Sequence, residues 1–520
     1  MAGTPKPFFV AGRAQTAPGL LAVLNKHKGA ELATVCVPTA EAVDRALTAA
    51  VGAVDALRTL PAYRRSEALF HVARRLRERA EEVARIVCGE VGKPIGDARN
   101  EVARAIDTLR LSGEEATRLT GEYLPLDSSA RGENTEAIVK RVPAGVCSFI
   151  TPFNFPLNLA AHKIGPALAA GCPFVLKPDP RTPLSALVLA EMLAETDLPA
   201  GSFSVLPVTD ETARDMFVTD ERIRVLSFTG SSRVGWELRS RAGNKKVLLE
   251  LGGNAACIID APISRTDLER IADRVCYGCF ALAGQSCISV QRILVQRTIY
   301  DAVLEAIVSR AKQIRAGDPL DESTAIGPMI SVEAAERVER WIDEAVKAGA
   351  LIRTGGQRVG AFMEPTLVEN APAQSKLVCD EVFGPVAVIQ PFDSFDEALA
   401  SINAGKYGLQ TGVFTASLTH ALRAWNVLNV GGVIVNDVPS SRMDAMPYGG
   451  VKESGLGREG VRYAVQEFTE LRTLVLRNVG RPRREKRDAA AGSDPKGDSR
   501  AILSDSMSYA DAKSLSDTAT

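Results

Sequence analysis

A chain of 520 residues with 46% hydrophobic and 24% charged residues has a soluble globular composition and is too long for one core, so two or three domains are expected. The 62 Lys and Arg nearly balance 63 Asp and Glu, which leaves no net field favouring nucleic acid or an anionic membrane. No apolar run reaches the roughly 18 residues that would span a bilayer, and the start lacks the charged-then-apolar pattern of a secretory signal, so a cytoplasmic protein with a small-molecule partner is expected.

Val43, Leu47, Ala50, Val54 and Leu57 recur at helical spacing, as do Leu69, Val72, Leu76, Val83 and Val87, and then Val102, Ile106 and Leu109. Their polar faces read as solvated surface. Residues 133–142 alternate like a strand. The sequence then changes character: AGVCSFITPFN, CPFVLKP, GSFSVLPV and RVLSFTGS are short apolar strands, separated by the helices FPLNLAAHKIGPALAAG, TPLSALVLAEMLAET and a short one near Glu211 to Phe217. That alternation is the signature of parallel βαβ units, and a doubly wound sheet puts its ligand at the carboxyl ends of the strands. Asn154, Lys177 and Ser231 all fall at such ends.

After Gly253 a second α/β region begins, with a helix from Leu268 to Leu282, the strand ISVQRILV, helices from Tyr300 to Ala311 and Val332 to Ala348, the strand PVAVIQ, a helix near Phe395 to Asn403, and the strands TGVFT and GGVIVN. EFTELRTLVLRNV again alternates. It and residues 133–142 are isolated strands that would pair with each other or with another subunit, so an oligomer is expected. The expected division is a cofactor-binding domain of residues 1–253, rejoined by 451–466, a catalytic domain of 254–450, and an oligomerisation flap from 133–142 and 467–480. From Arg481 the chain lacks large apolar residues; 481–520 reads as a disordered extension, with a docking peptide near its end as the less favoured reading.

Nine cysteines at irregular spacing, mostly in apolar runs, are the pattern of reduced core thiols. Cys276 and Cys279 form a CxxC, but no second pair or nearby His completes a ligand set, so no metal is expected. Cys287 differs: Gly284, Gln285 and Ser286 precede it where a helix gives way to a strand, and the other eight read as packed. Glu250 interrupts an aliphatic run just before Gly252 and Gly253. A thiolate nucleophile with a carboxylate base is the chemistry these two suggest. Gly230 to Gly235, GSSRVG, lies between a strand and a helix, where amides could hold a diphosphate, although it is neither a GxGxxG nor a Walker A loop.

FITPFNFPLNL, FTGSSRVG, LLELGGN, GQSCISVQR, EVFGPV, YGLQTGVFT, GGVIVN and PYGGVKESGLGREG follow one another in the order and approximate spacing of the aldehyde dehydrogenase superfamily. The resemblance extends over about residues 38–479. It implies two doubly wound α/β domains with a small β flap, and NAD(P)-dependent oxidation of a small aldehyde to its carboxylate by a homodimer or homotetramer. By the same resemblance Cys287 matches the nucleophile, Asn154 with the Cys287 amide the oxyanion site, and Glu250 the base that hydrolyses the thioester. Lys177 matches the ribose contact, Ser231 and its helix the diphosphate contact, and Glu381 and Phe383 the nicotinamide side; Thr151, Pro152, Gly230, Gly235, Leu251 and Gly252 belong with the coenzyme positions.

Two positions depart from the pattern. Pro180 stands where NAD-preferring members often carry Glu, so NAD and NADP are both open, with Arg181 able to attract a 2'-phosphate and Asp179 to oppose it. Phe153 replaces a common Trp. NFPLNLAAHKIGPALA, GQSCIS and IGPMISVE look most like lactaldehyde and phosphonoacetaldehyde dehydrogenase relatives, which points to small aliphatic or hydroxy-aldehydes. A CoA-acylating relative would lack Glu250, and a noncatalytic or scaffold relative would lack one of Cys287, Glu250 and Asn154.

Overall fold

The computed structural model describes residues 4–479; the predicted extension at 481–520 lies outside them. The described residues form two compact units, 4–124 with 138–474, and 125–137 with 475–479. The first carries both large sheets and the cavity.

It contains two large sheets. The first is built from β1 (Phe8–Val10), β2 (Arg13–Gln15), β3 (Cys147–Ile150), β4 (Phe174–Lys177), β5 (Phe203–Val205), β6 (Val225–Thr229) and β7 (Lys246–Glu250). The second holds β8 (Ala255–Ile259), β9 (Val290–Gln296), β10 (Leu351–Thr354), β11 (Thr366–Glu369), β12 (Val386–Phe392), β13 (Gln410–Phe414) and β14 (Gly432–Val435); the chain then returns to the first sheet as β15 (Gly455–Leu456). The strand orders are β2-β1-β5-β4-β3-β6-β7-β15 and β10-β11-β12-β9-β8-β13-β14. All neighbours from β5 to β7 are parallel, and so are those from β11 to β14. This is the doubly wound α/β class expected.

Strands β3, β4 and β6 are buried along their whole length, as central parallel strands with helices on both faces must be. The helix α1 (Pro156–Ala170) opens on proline and is capped by the buried carboxylate of Glu101, whose Oε1 accepts from the amides of Leu157 at 2.9 Å and Asn158 at 3.1 Å. The helix α2 (Leu184–Ala194) is capped the same way by Glu90. These carboxylates come from the helices that precede β3, so segments whose polar faces read as solvated surface place a buried acid at the start of α1 and of α2. Phe149 on β3 packs against Phe174 and Phe468 at 5.5 Å each; its loss would cost about 3–5 kcal/mol.

The structure departs from the sequence reading at several elements. The amino-terminal strands, including a hairpin of Gly19–Leu24 with Glu31–Val37, had no periodicity to announce them. The predicted helix 268–282 runs Arg265–Phe280 and stops short, because Leu282 and Ala283 take left-handed φ of 53° and 52°; the following strand starts at Val290 instead of Ile288. The two isolated strands do not depart from the reading, being neighbours as one of its alternatives has it: Thr135–Pro143 lies between Glu122–Pro125 and Thr469–Arg477 in a three-stranded sheet. Seven of the eight other cysteines are buried, but Cys379, closing a short helix, is exposed. Cys276 and Cys279 are both buried on the Arg265–Phe280 helix. Among the described residues no helix is long and apolar enough to cross a membrane.

Candidate active site

In the first sheet the chain runs from β3 outward through β4 to β5, then returns to β6 on the other side of β3. The gap between the β3 and β6 ends is therefore a topological switch point, where an open α/β sheet leaves a crevice. Register places Ile150 beside Lys177 and Phe228, and Thr229 beside Glu250, so four neighbouring carboxyl ends face one way. A cavity of about 600 Å³ opens there. It is lined by Thr151, Pro152, Asn154, Lys177, Gly230, Ser231, Glu250, Leu251, Gly252, Cys287, Glu381 and Phe383. The structure thus brings together all the predicted site residues except Gly235, which is buried a turn into its helix, where an added Cβ would meet Leu251 at 2.3 Å.

Cys287 sits on the loop between the second region's first helix and β9. Leu282, Ala283 and Gly284 hold three successive left-handed φ values, a conformation costing non-glycine residues on the order of 1 kcal/mol or more each, and Gly284 is closed off by the Gly384 carbonyl. What secures the loop is Gln285, fully buried: its Oε1 accepts from the Ile330 amide at 2.9 Å and its Nε2 donates to Leu282 O at 3.2 Å. The Gln285 carbonyl in turn accepts from Asn154 Nδ2 at 2.9 Å, which ties the segment after β3 to the loop of Cys287. The Asn154 Oδ1 is buried without a partner. Cys287 Sγ contacts Tyr448 Oη at 3.1 Å; burial pushes the thiol up to about 12, and Tyr448 offsets part of this.

Glu250 is 6% exposed with Oε2 unpartnered. Burial, reinforced by the charge of Glu459, lifts its pKa well above the carboxylate range. Glu459 is equally buried, yet Lys163 at 3.2 Å and Arg442 at 3.1 Å hold it down to about 2. His162, whose Nε2 meets Asp444 at 2.8 Å, is kept toward its neutral form by burial and by Arg442. This network of Arg442, Tyr448, Glu459, Lys163 and His162 has no counterpart in the sequence reading. Its members sit in quoted motifs or beside them, PYGGVKESGLGREG and NLAAHKIG, but nothing in their spacing showed that a helix and a distant loop meet behind Cys287.

At the other end of the cavity Lys177 Nζ bonds Asp210, and Arg181 pairs with Asp179 through two bonds of 2.7 and 2.9 Å while lying over the Phe153 ring at 4.4 Å. Ser231 is the exposed N-cap of α3 (Ser232–Arg241), and its side chain makes no capping bond. Thr229 Oγ1 and Ser232 Oγ are buried and unpartnered beside it. Free amides at a helix start, unfilled hydroxyls and a lysine at the next strand end suit a nucleotide diphosphate and ribose. Glu381 accepts from the Gly253 amide at 3.0 Å and burial lifts it to about 7; Phe383, at a left-handed φ of 46°, meets Phe153 edge-on at 5.8 Å.

Residues 13–474 match the model of the aldehyde dehydrogenase family. The chain belongs to that family. It is 45% identical over 469 residues to 3-sulfolactaldehyde dehydrogenase of Priestia aryabhattai, spanning 90% of this chain and 97% of that protein. It is 37% identical over 459 residues to lactaldehyde dehydrogenase of Methanocaldococcus jannaschii, spanning 87% and 96%. Aldehyde dehydrogenase 21 of Physcomitrella patens, solved with the reaction product succinate, superposes with a TM-score of 0.90 at 46% identity over 92% of this chain and all of that one. The protein is an oxidoreductase acting on aldehydes, with NAD or NADP as oxidant and a carboxylate as product.

Proposed function

We propose that this aldehyde dehydrogenase works hydrolytically on a short aldehyde, with Cys287 as nucleophile, Asn154 and the Cys287 amide as the oxyanion site, and Glu250 as the base for water. The observation that carries this reading is the bond from Asn154 to the loop of Cys287, with the unpartnered Glu250 carboxyl on the same cavity wall. The Cys287 thiol gives up its proton to solvent, its sulfur attacks the carbonyl carbon to form the S–C bond as the C=O π bond opens, and the oxygen gains charge beside donor groups already fixed in place. A bound nicotinamide coenzyme supplies the hydride acceptor. Loss of hydride leaves a thioester on Cys287; water deprotonated at Glu250 attacks it, the C–S bond breaks, and the carboxylate departs. Glu250 is the reason to prefer hydrolysis to transfer onto CoA.

Coenzyme would be held by Lys177 at the ribose and by Gly230 and Ser231 at the diphosphate, with Thr151, Pro152, Leu251 and Gly252 along the wall and Glu381 and Phe383 at the nicotinamide end. Gly235 serves by letting the helix approach Leu251. On this reading residues 1–253 with 451–466 hold coenzyme, 254–450 bring the nucleophile, and the three-stranded sheet with its exposed Ile138, Leu471 and Leu474 joins subunits into a dimer or tetramer. The names of the sulfolactaldehyde and lactaldehyde relatives support a short substrate.

Glu250→Gln is expected to keep a first-turnover burst of reduced coenzyme near one per site while steady turnover falls about 10²-fold or more, with the acyl adduct on Cys287 visible by mass spectrometry. Steady turnover equal to wild type would overturn the assignment.

A further inference from the structure

Behind the nucleophile the structure packs more cation than carboxylate. Arg442, its side chain only 6% exposed, lines the cavity over the Tyr448 ring, with the guanidinium carbon 3.6 Å from the centroid. Since Tyr448 Oη lies 3.1 Å from Cys287 Sγ, a single ring separates the guanidinium from the sulfur. One Arg442 nitrogen, Nη2, donates to Glu459, while its Nε is buried with no partner. Glu459 is shared with Lys163, and a second carboxylate that meets His162, Asp444, is taken up by Arg104 at 2.7 Å. Three cations therefore meet two carboxylates, and the third carboxyl nearby, Glu250, is held toward its neutral form by burial and Glu459. Ser440 Oγ, also on the cavity wall, is buried and unpartnered.

A buried guanidinium with an unmet N–H is costly unless an acceptor arrives, and its planar fork matches an oxyanion group. Five further acidic side chains line the cavity: Asp179 and Asp210 are paired with Arg181 and Lys177, Glu381 accepts from the Gly253 amide, Glu101 is closed by Lys93 and the amides of α1, and burial shifts Asp97 toward its neutral form. Four of these five are thus already engaged by a cation or a backbone amide.

We propose that the aldehyde carries an anionic group, carboxylate or sulfonate, at the far end of a short chain, and that Arg442, with Ser440 and Arg104 beside it, holds that group while the aldehyde carbon reaches Cys287. The inference rests on Cys287 being the nucleophile and adds which aldehydes the site selects.

The test compares three aldehydes of equal chain length ending in carboxylate, sulfonate or methyl, assayed for reduced coenzyme. In parallel, succinate and butyrate are titrated against the Cys287→Ala protein by calorimetry, a readout without turnover. The better charged aldehyde is expected to exceed the methyl one in kcat/KM by about 10²-fold, and the carboxylate and sulfonate arms show which head group fits. Arg442→Gln should shrink that ratio below about tenfold, mainly through KM. Should this variant fail to fold, Arg104→Gln should shrink it in the same direction by less. Equal kcat/KM for the charged and methyl aldehydes would sink the anion site and leave the oxidation standing. Absence of reduced coenzyme with any aldehyde would sink the oxidation reading, and the calorimetric preference for succinate over butyrate would then decide the anion site alone.

Discussion

At the Lys177 end of the cavity charges are paired in simple, partly exposed bridges, whereas at the Cys287 end the charged side chains are buried and linked to one another. Asp210, bound to Lys177, is 74% exposed at its side chain, while Glu459, bound to Lys163 and Arg442, is 5% exposed. Exposed pairs are screened and replaceable; buried ones set protonation states and must be kept whole. Glu250 and Glu459 sharpen the contrast. Both are buried glutamates of one wall, yet the one with two cations in contact is ionised and the one without is pushed toward its neutral acid.

The sharpest break is at the nucleophile: Cys287→Ala should lower turnover by about 10⁴-fold or more while coenzyme titrates normally, since Lys177, Ser231 and their strand ends are untouched. Full turnover in that variant would end the covalent mechanism. Next comes Glu459→Gln, which strands Arg442 and Lys163; a loss of about 3–5 kcal/mol is expected in denaturant unfolding. The same change removes the like charge facing Glu250, so the pH at which steady turnover rises should move down. A profile that stays put would mean burial alone sets Glu250.

At the exposed end effects should be smaller. Asp179→Ala frees Arg181 from its bidentate partner, and the affinity for NADP relative to NAD should rise by about three- to tenfold in a fluorescence titration. The smallest effect is on stability against pH. Glu90 and Glu381, raised to about 7 from an ordinary 4.5, add stability below 4.5 that is lost as pH climbs through 7; Glu459, lowered to about 2, adds stability above 4.5 that is lost as pH falls. Thermal melting should therefore peak in mild acid, with Tm a few degrees lower at both pH 8 and pH 3. A Tm rising from pH 6 to pH 8 would contradict the assignment for Glu90 and Glu381.

Asn154, Lys177, Ser231 and Glu250 were legible because each ends an apolar strand, and parallel topology converts a strand end into a place on the crevice. Cys287 was legible by its glycine and serine flanks. Arg442, His162 and Lys163 were not, since the first lies in an irregular loop, the others read as a helix interior, and their meeting depends on packing across nearly 300 positions of chain. Nor does sequence periodicity register Leu282 and Ala283 in left-handed backbone, because that conformation is imposed from outside, by Gln285 and the segments it grips. Three-residue strands such as Phe8–Val10 are too short to show an alternation at all.

At Gly253 the Glu250 segment and the Cys287 segment approach through backbone, for a Cβ there would fall 2.3 Å from the Cys287 carbonyl oxygen. The contact acts as a ruler between the two large sheets: it fixes the span from Glu250 to Cys287 with no side chain that drift could lengthen or shorten. Substrate range can wander through Phe153, Ser440 and Tyr277 around the cavity, and the distance over which an acyl group must be handed from sulfur to water stays the same.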